Sequence, residues 1–249
     1  MNTTSDTTAS DGQMATEENR RAEAEALFHT AEVLAGLGDH SAAAGQYLQS
    51  LELWDRVAVV HHQLGVALLQ LGEPQQATAA FERAIELDPD VPRYWVNRGF
   101  CALQCGHEPQ ALEFYNHALA LDDTLADAWF NRANLHLLLG DTAAAISDFQ
   151  RTVALDPGDA DAWFNLGIAL HDHGLAENSL EAYGKALELV PDEPSVLHNM
   201  GVSLLKLKRI DEAVSCLRQA LELGLDQAEE TLELAKSMSA ETDISGHGE

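Results

Sequence analysis

The chain has 249 residues, room for one or two ordinary domains or one elongated array, and its 46% hydrophobic and 22% charged content is that of a globular protein. Against 14 Lys+Arg stand 41 Asp+Glu, a formal net charge of -27. That excludes a phosphate-backbone binder, which needs a basic face to displace counterions, and favours basic or neutral partners or a solvated surface of halophilic type.

The N-terminus, from Met1 to Asp6, has no basic stretch and no apolar core, so no secretory leader is expected. No run approaches the ~18 apolar residues of a membrane span, so no membrane insertion is expected either. Cys101, Cys105 and Cys216 are too few and too scattered for a disulfide framework. A reducing, cytoplasmic setting follows as the expectation. Residues 1–15 are small and polar and read as a disordered tail. Thr16 then suits an N-cap, with Glu17 and Glu18 in the first turn.

From there a 34-residue period organises the chain. Trp95, Trp129 and Trp163 are equally spaced, and the register extends to six repeats: 24–57, 58–91, 92–125, 126–159, 160–193 and 194–227. Counting from the first residue of each repeat, position eight is always Gly or Ala (Ala31, Gly65, Gly99, Ala133, Gly167, Gly201). Position twenty is Ala or Ser, and position twenty-four is large (Tyr47, Phe81, Tyr115, Phe149, Tyr183, Leu217). Position twenty-seven returns to a small residue or Thr152. Small residues let two helices approach, and the large side chain fills the space beside the contact. Gly38, Gly72, Gly106, Gly140 and Gly174 recur at position fifteen, where a first helix would end and turn. Pro89, Pro157 and Pro191 mark the ends of second helices. After the last repeat, Leu225, Ala228, Leu232, Ala235 and Met238 form an apolar stripe facing away from Glu229, Glu230 and Glu233. This predicts a capping helix over 226–239, a solenoid spanning 16–239, and a disordered tail over 240–249.

Residues Trp163, Leu166, Gly167, Tyr183, Ala186 and Pro191, and again Leu64, Gly65, Ala77, Phe81, Ala84 and Pro89, resemble the signature of the tetratricopeptide (TPR) repeat family. The resemblance implies an all-α fold: a right-handed TPR superhelix, an α-solenoid of antiparallel helix pairs. It also implies that positions two, five, six, nine, twelve and thirteen line a concave groove.

Position six reads His29, Gln63, Asn97, Asn131, Asn165, Asn199. A side-chain amide offers one acceptor and two donors, which matches a peptide backbone whatever its sequence. The column is similar to the Asn ladder in the TPR arm of O-linked N-acetylglucosamine transferases. It reads equally well as a tie between neighbouring helices. Around it stand Phe130 and Phe164 at position five and Phe100, Asn134 and Ile168 at position nine, partly as interhelix packing and partly as an apolar strip. The carboxylate clamp for acidic C-terminal tails of chaperones is absent, because no consecutive repeats carry its Lys, Asn and Arg set. Arg98 and Arg132, at position seven, could pair with Asp127 and Asp161 of the next repeat, or could extend along the surface to water.

His61 and His62, like His171 and His173, are spaced so that a helix points them to different faces, and Cys101, Cys105 and His107 lack a fourth ligand, so no metal is expected. No phosphate loop, dinucleotide glycine pattern or nucleophile elbow occurs. The expectation is therefore a non-enzyme without cofactor. It would act as an adaptor, co-chaperone-like or assembly factor, binding a basic or apolar segment through Gln63, Asn97, Phe100, Phe130, Asn131, Asn134, Phe164, Asn165, Ile168 and Asn199. The alternative is a self-assembling scaffold.

Overall fold

The computed structural model describes residues 5–245, with side chains described for residues 16–239. The described residues form helices and no strand. The chain divides into two compact units, residues 1–123 and 124–249.

The first unit holds three hairpins: α1 (Ser5–Gly36) with α2 (His40–Leu53), α3 (Ala58–Gln70) with α4 (Pro74–Leu87), and α5 (Pro92–Gln104) with α6 (Glu108–Leu121). The second holds α7 (Ala126–Leu138) with α8 (Thr142–Leu155), α9 (Ala160–Asp172) with α10 (Ala176–Leu189), α11 (Pro194–Lys206) with α12 (Ile210–Glu222), and the final helix α13 (Ala228–Ser245). Within each unit every helix packs against its neighbours in sequence, and α13 lies on α12 and α11.

The turn inside each hairpin spans three residues and sets the helices antiparallel. Its middle residue must adopt a left-handed backbone, as Gly72 does at φ 75°. That places Gly72 N–H on Leu69 O at 3.0 Å and Glu73 N–H on Leu68 O at 2.9 Å, satisfying carbonyls that the helix end leaves open. In the last hairpin Lys208 takes this conformation, at φ 60°, without the freedom of glycine. Asp39, Asp141 and Asp159 cap α2, α8 and α9 by accepting from the backbone N–H three residues on.

The small–large scheme makes the core. Tyr47, Phe81, Tyr115, Phe149, Tyr183 and Leu217 are at most 1% exposed. A Cβ on Gly65 would stand 2.6 Å from Phe81 Cε1, so position eight stays small to admit the ring. Trp95 and Trp163 serve a different end: each indole N–H donates to a proline carbonyl of the preceding turn, Pro89 O at 2.7 Å and Pro157 O at 3.1 Å.

Two local expectations change. Thr16 lies inside α1 and is not its N-cap, since the helix opens at Ser5, within the stretch read as a tail. At the other end α13 runs to Ser245, beyond the 226–239 expected for the cap. Extending an existing helix adds a hydrogen bond for each residue fixed, whereas nucleation is the costly step. Of the two expected tails, residues 1–4 and 246–249 lie outside the described residues.

Candidate functional site

In the first unit, position six contributes Gln63 on α3 and Asn97 on α5, both half-buried. Asn97 Nδ2 donates to His62 Nε2 at 2.8 Å, so this amide ties α5 to α3. His62 is 8% exposed, and its ring centroid lies 5.6 Å from that of Phe81 and 4.8 Å from that of Tyr94. Burial, with Arg93 adding to it, pushes its pKa down to about 4. His62 is therefore a neutral acceptor at neutral pH. Phe100 on α5 stays exposed, at 36%.

In the second unit the column continues with Asn131 on α7, Asn165 on α9 and Asn199 on α11, all half-buried. Asn199 Nδ2 donates to Ser195 O at 2.8 Å, back into its own helix. Among the described residues, Asn131 and Asn165 have no hydrogen-bond partner in the protein. The column thus splits: the fold occupies Asn97 and Asn199, whereas Gln63, Asn131 and Asn165 have no hydrogen-bond partner among the described residues. Sequence identity at position six could not separate them, because the partners of Asn97 and Asn199 depend on a histidine in the previous repeat and on a local carbonyl.

The apolar residues beside the amides are less open than a strip would need. Phe130 packs edge-on against Phe149 with centroids 5.8 Å apart, and Phe164 lies 6.1 Å from Tyr183. Phe130, Phe164, Asn134 and Ile168 are half-buried. Position five mainly covers the large residue of position twenty-four in its own repeat.

The Arg132–Asp161 pair is replaced by another. Arg132 Nε and Nη2 donate to the two carboxylate oxygens of Asp148 at 2.7 and 2.8 Å, and the guanidinium lies 4.6 Å from the ring centre of Trp129. Asp148, on α8, is 4% exposed. It is reached within the same hairpin, so the forked guanidinium meets a buried, preset carboxylate rather than a solvated one. Arg98, on α5, donates from Nε and Nη2 to Glu82 Oε1 of α4 at 3.2 and 2.8 Å and lies over Phe114.

The residues weighed as metal ligands have other duties. His61 Nε2 bonds Asp55 O at 2.8 Å, and His171 Nδ1 shares a hydrogen bond of 2.7 Å with the buried Ser203 hydroxyl. Burial pushes the Cys101 thiol up to about 11, the wrong direction for a thiolate ligand. Among the described residues, no group of three or more His, Cys, Asp or Glu could hold a metal ion. No helix among them is long and apolar enough to cross a membrane.

A stack of helical hairpins with polar groups repeated along the first helices defines a class of repeat protein that serves as a protein–protein interaction scaffold. Family models described as tetratricopeptide repeat match residues 58–91, 130–194 and 194–223. The chain belongs to the tetratricopeptide repeat family, whose members are in general interaction modules rather than enzymes. No curated protein matches it. Among solved structures it is similar to YrrB, described as a TPR protein with an unusual peptide-binding site, with 20% identity and a TM-score of 0.66 over 77% of this chain and 97% of that one. It is also similar to MamA, with 25% identity and a TM-score of 0.61 over 67% and 97%. PilF of Pseudomonas aeruginosa shares 16% identity, with a TM-score of 0.75 over 87% and 99%. The fold is thus the TPR solenoid.

Proposed function

We propose that this chain is a non-enzymatic adaptor or assembly factor that captures an extended or helical segment of another protein along the first helices of its repeats. The observation that carries the reading is the pair of half-buried, unpartnered amides Asn131 and Asn165. A polar group left half-desolvated without a partner gains most from a ligand that supplies one, and an amide can engage both the N–H and the C=O of a peptide. Phe130, Asn134, Phe164 and Ile168 contribute contact around them. Gln63 and the exposed edge of Phe100 play the same part in the first unit. Asn97 and Asn199 stay in the fold as positioning residues. The peptide-binding site named for YrrB accords with this reading. The charge of -27 favours a basic segment and opposes the acidic tails of chaperones. A cytoplasmic setting belongs to the same proposal.

The test is selection of random peptides on the immobilised chain and on the variant carrying Asn131→Ala and Asn165→Ala. Enrichment of a peptide class that the variant loses supports the reading. Equal selection by both proteins, or none by either, removes it.

A second reading, self-assembly, rests on α1. Val33 and Leu37 are 64% and 78% exposed. Position ten, where Val33 stands, is buried as Ala67, Ala169 and Ser203 in repeats that have a preceding hairpin. Light scattering across a concentration series checks it: a dimer that Leu37→Glu dissolves favours assembly, and a constant monomer excludes it.

A further inference from the structure

Between α9, α10 and α11 lies a cleft of about 260 Å³, lined by Ala160, Asp161, Phe164, Val190, Glu193 and Val196 among others. In repeat numbering these are positions one, two, five, thirty-one and thirty-four, and position three of the following repeat. The same positions, as Ala24, Glu25, Phe28, Trp54, Val57 and Val60, line a cleft of about 260 Å³ between α1, α2 and α3 in the first unit. A void that recurs at equivalent positions belongs to the way two hairpins meet rather than to one ill-fitting side chain.

Position three of the following repeat differs from junction to junction, and where α7 and α8 meet α9 it is the buried Ala162. At the two clefts it is valine. Where α3 and α4 meet α5 it is Tyr94, which is 7% exposed and lies 4.8 Å, ring to ring, from His62 at position five. The protein thus shows what suits the junction: one large, mostly apolar side chain laid against position five. The size agrees, since small-molecule pockets run from about 300 to 1,000 Å³ and this cleft lies below that range.

The rim carries a second instruction. At the first-unit cleft Arg21 lines the wall, and its Nε donates to Glu25 Oε1 at 3.2 Å. A cation of the chain itself therefore sits on the position-two carboxylate. At the second-unit cleft position two is Asp161, which is exposed and has no ion pair among the described residues, with Glu193 on the same rim.

We propose that the cleft between α9, α10 and α11 is a specificity pocket for a protein segment, taking one aliphatic or aromatic side chain with a Lys or Arg beside it on Asp161. The inference rests on the capture reading above and states which segments are selected. Burying the apolar side chain supplies affinity, and the carboxylates reject acidic neighbours.

A phage-displayed random peptide library is panned on the full chain and on three variants. Val196→Tyr copies the Tyr94 plug, Asp161→Lys supplies the rim cation internally as Arg21 does, and Asn131→Ala with Asn165→Ala removes the free amides. The wild type enriches an apolar residue next to Lys or Arg. Val196→Tyr weakens such a peptide about tenfold or more, equivalent to about 1.4 kcal/mol. Asp161→Lys keeps the apolar preference and loses the basic one. If both cleft variants bind the wild-type peptides unchanged while the amide variant loses them, the pocket is wrong and segment capture stands. If no peptide is enriched, both fall. Should Val196→Tyr fail to fold, as its helical circular dichroism would reveal, Asp161→Lys at an exposed position decides alone.

Discussion

His62 is buried, stacked against Phe81 and Tyr94, and accepts the amide hydrogen of Asn97. Its pKa falls from 6.5 to about 4 because burial, and then Arg93, disfavour the charged form. The unfolded chain binds this proton near pH 6.5, whereas the folded chain resists it until about pH 4. Stability from this site is therefore whole above the upper value and declines as pH falls between the two, by at most about 3 kcal/mol. Burial shifts His61, His171 and His198 in the same direction. Replacing His62 with Phe, the residue at position five in Phe28, Phe130 and Phe164, flattens part of the acid slope. Urea midpoints at about pH 7 and about pH 5 measure it, and equal slopes in variant and wild type would remove His62 as the cause.

Tyr115 presents the opposite case. Its ring is fully buried, yet its hydroxyl has no hydrogen-bond partner. An unsatisfied buried hydroxyl costs about 1–3 kcal/mol, so Tyr115→Phe is neutral or stabilising in chemical denaturation. Tyr115→Ala, which empties the core beside Gly99, costs about 3–5 kcal/mol. A clear loss of stability in Tyr115→Phe would reveal a hydrogen bond that the packing does not provide.

At the scale of the element, the hairpin follows from position eight meeting position twenty-four. Gly65 admits the Phe81 ring, and an added Cβ at 2.6 Å forces the ring to move. Gly65→Ala therefore destabilises by about 1–3 kcal/mol even though alanine favours helix by about 0.5–1. Gly45, on α2, has nothing within 4 Å of the same added atom. Gly45→Ala gains the helical term alone and raises the melting temperature. If both variants shifted stability in the same direction, helix propensity rather than ring packing would govern the position.

The hairpins were legible in the sequence because their determinants are local and periodic: the glycine of the turn, the small faces, the proline stops. From the second pair onward, each first helix opens on the first residue of its repeat for this reason, at Ala58, Pro92, Ala126, Ala160 and Pro194. What depends on which side chains of other helices come within reach was not legible. Asn97 and Asn131 look alike in the sequence, and only His62 distinguishes them. Arg132 had two acids to choose from, and the buried Asp148 of its own hairpin holds it through two bonds. The plug of Tyr94 and the openings beside Val60 and Val196 show only when hairpins are set side by side.

For the whole molecule, the repeat supplies a scaffold, and the departures from it supply the candidate chemistry. The scaffold uses its strongest positions for its own packing, leaving the free amides of α7 and α9 and the acidic cleft beside α9 as unspent interactions. An acidic surface of this magnitude speeds encounter with basic segments at low salt and loses that advantage as salt screens it. In the proposed complex Asn131 and Asn165 hold the backbone of a bound segment while Asn97 and Asn199 serve the fold. Nitrogen-15 spectra of the side-chain amides, recorded as a selected peptide is added, test it most directly. The expected result is that the Asn131 and Asn165 resonances move together and saturate, with those of Asn97 and Asn199 nearly still. Movement of the Asn97 and Asn199 signals alone, or binding that leaves all four unchanged, would contradict it.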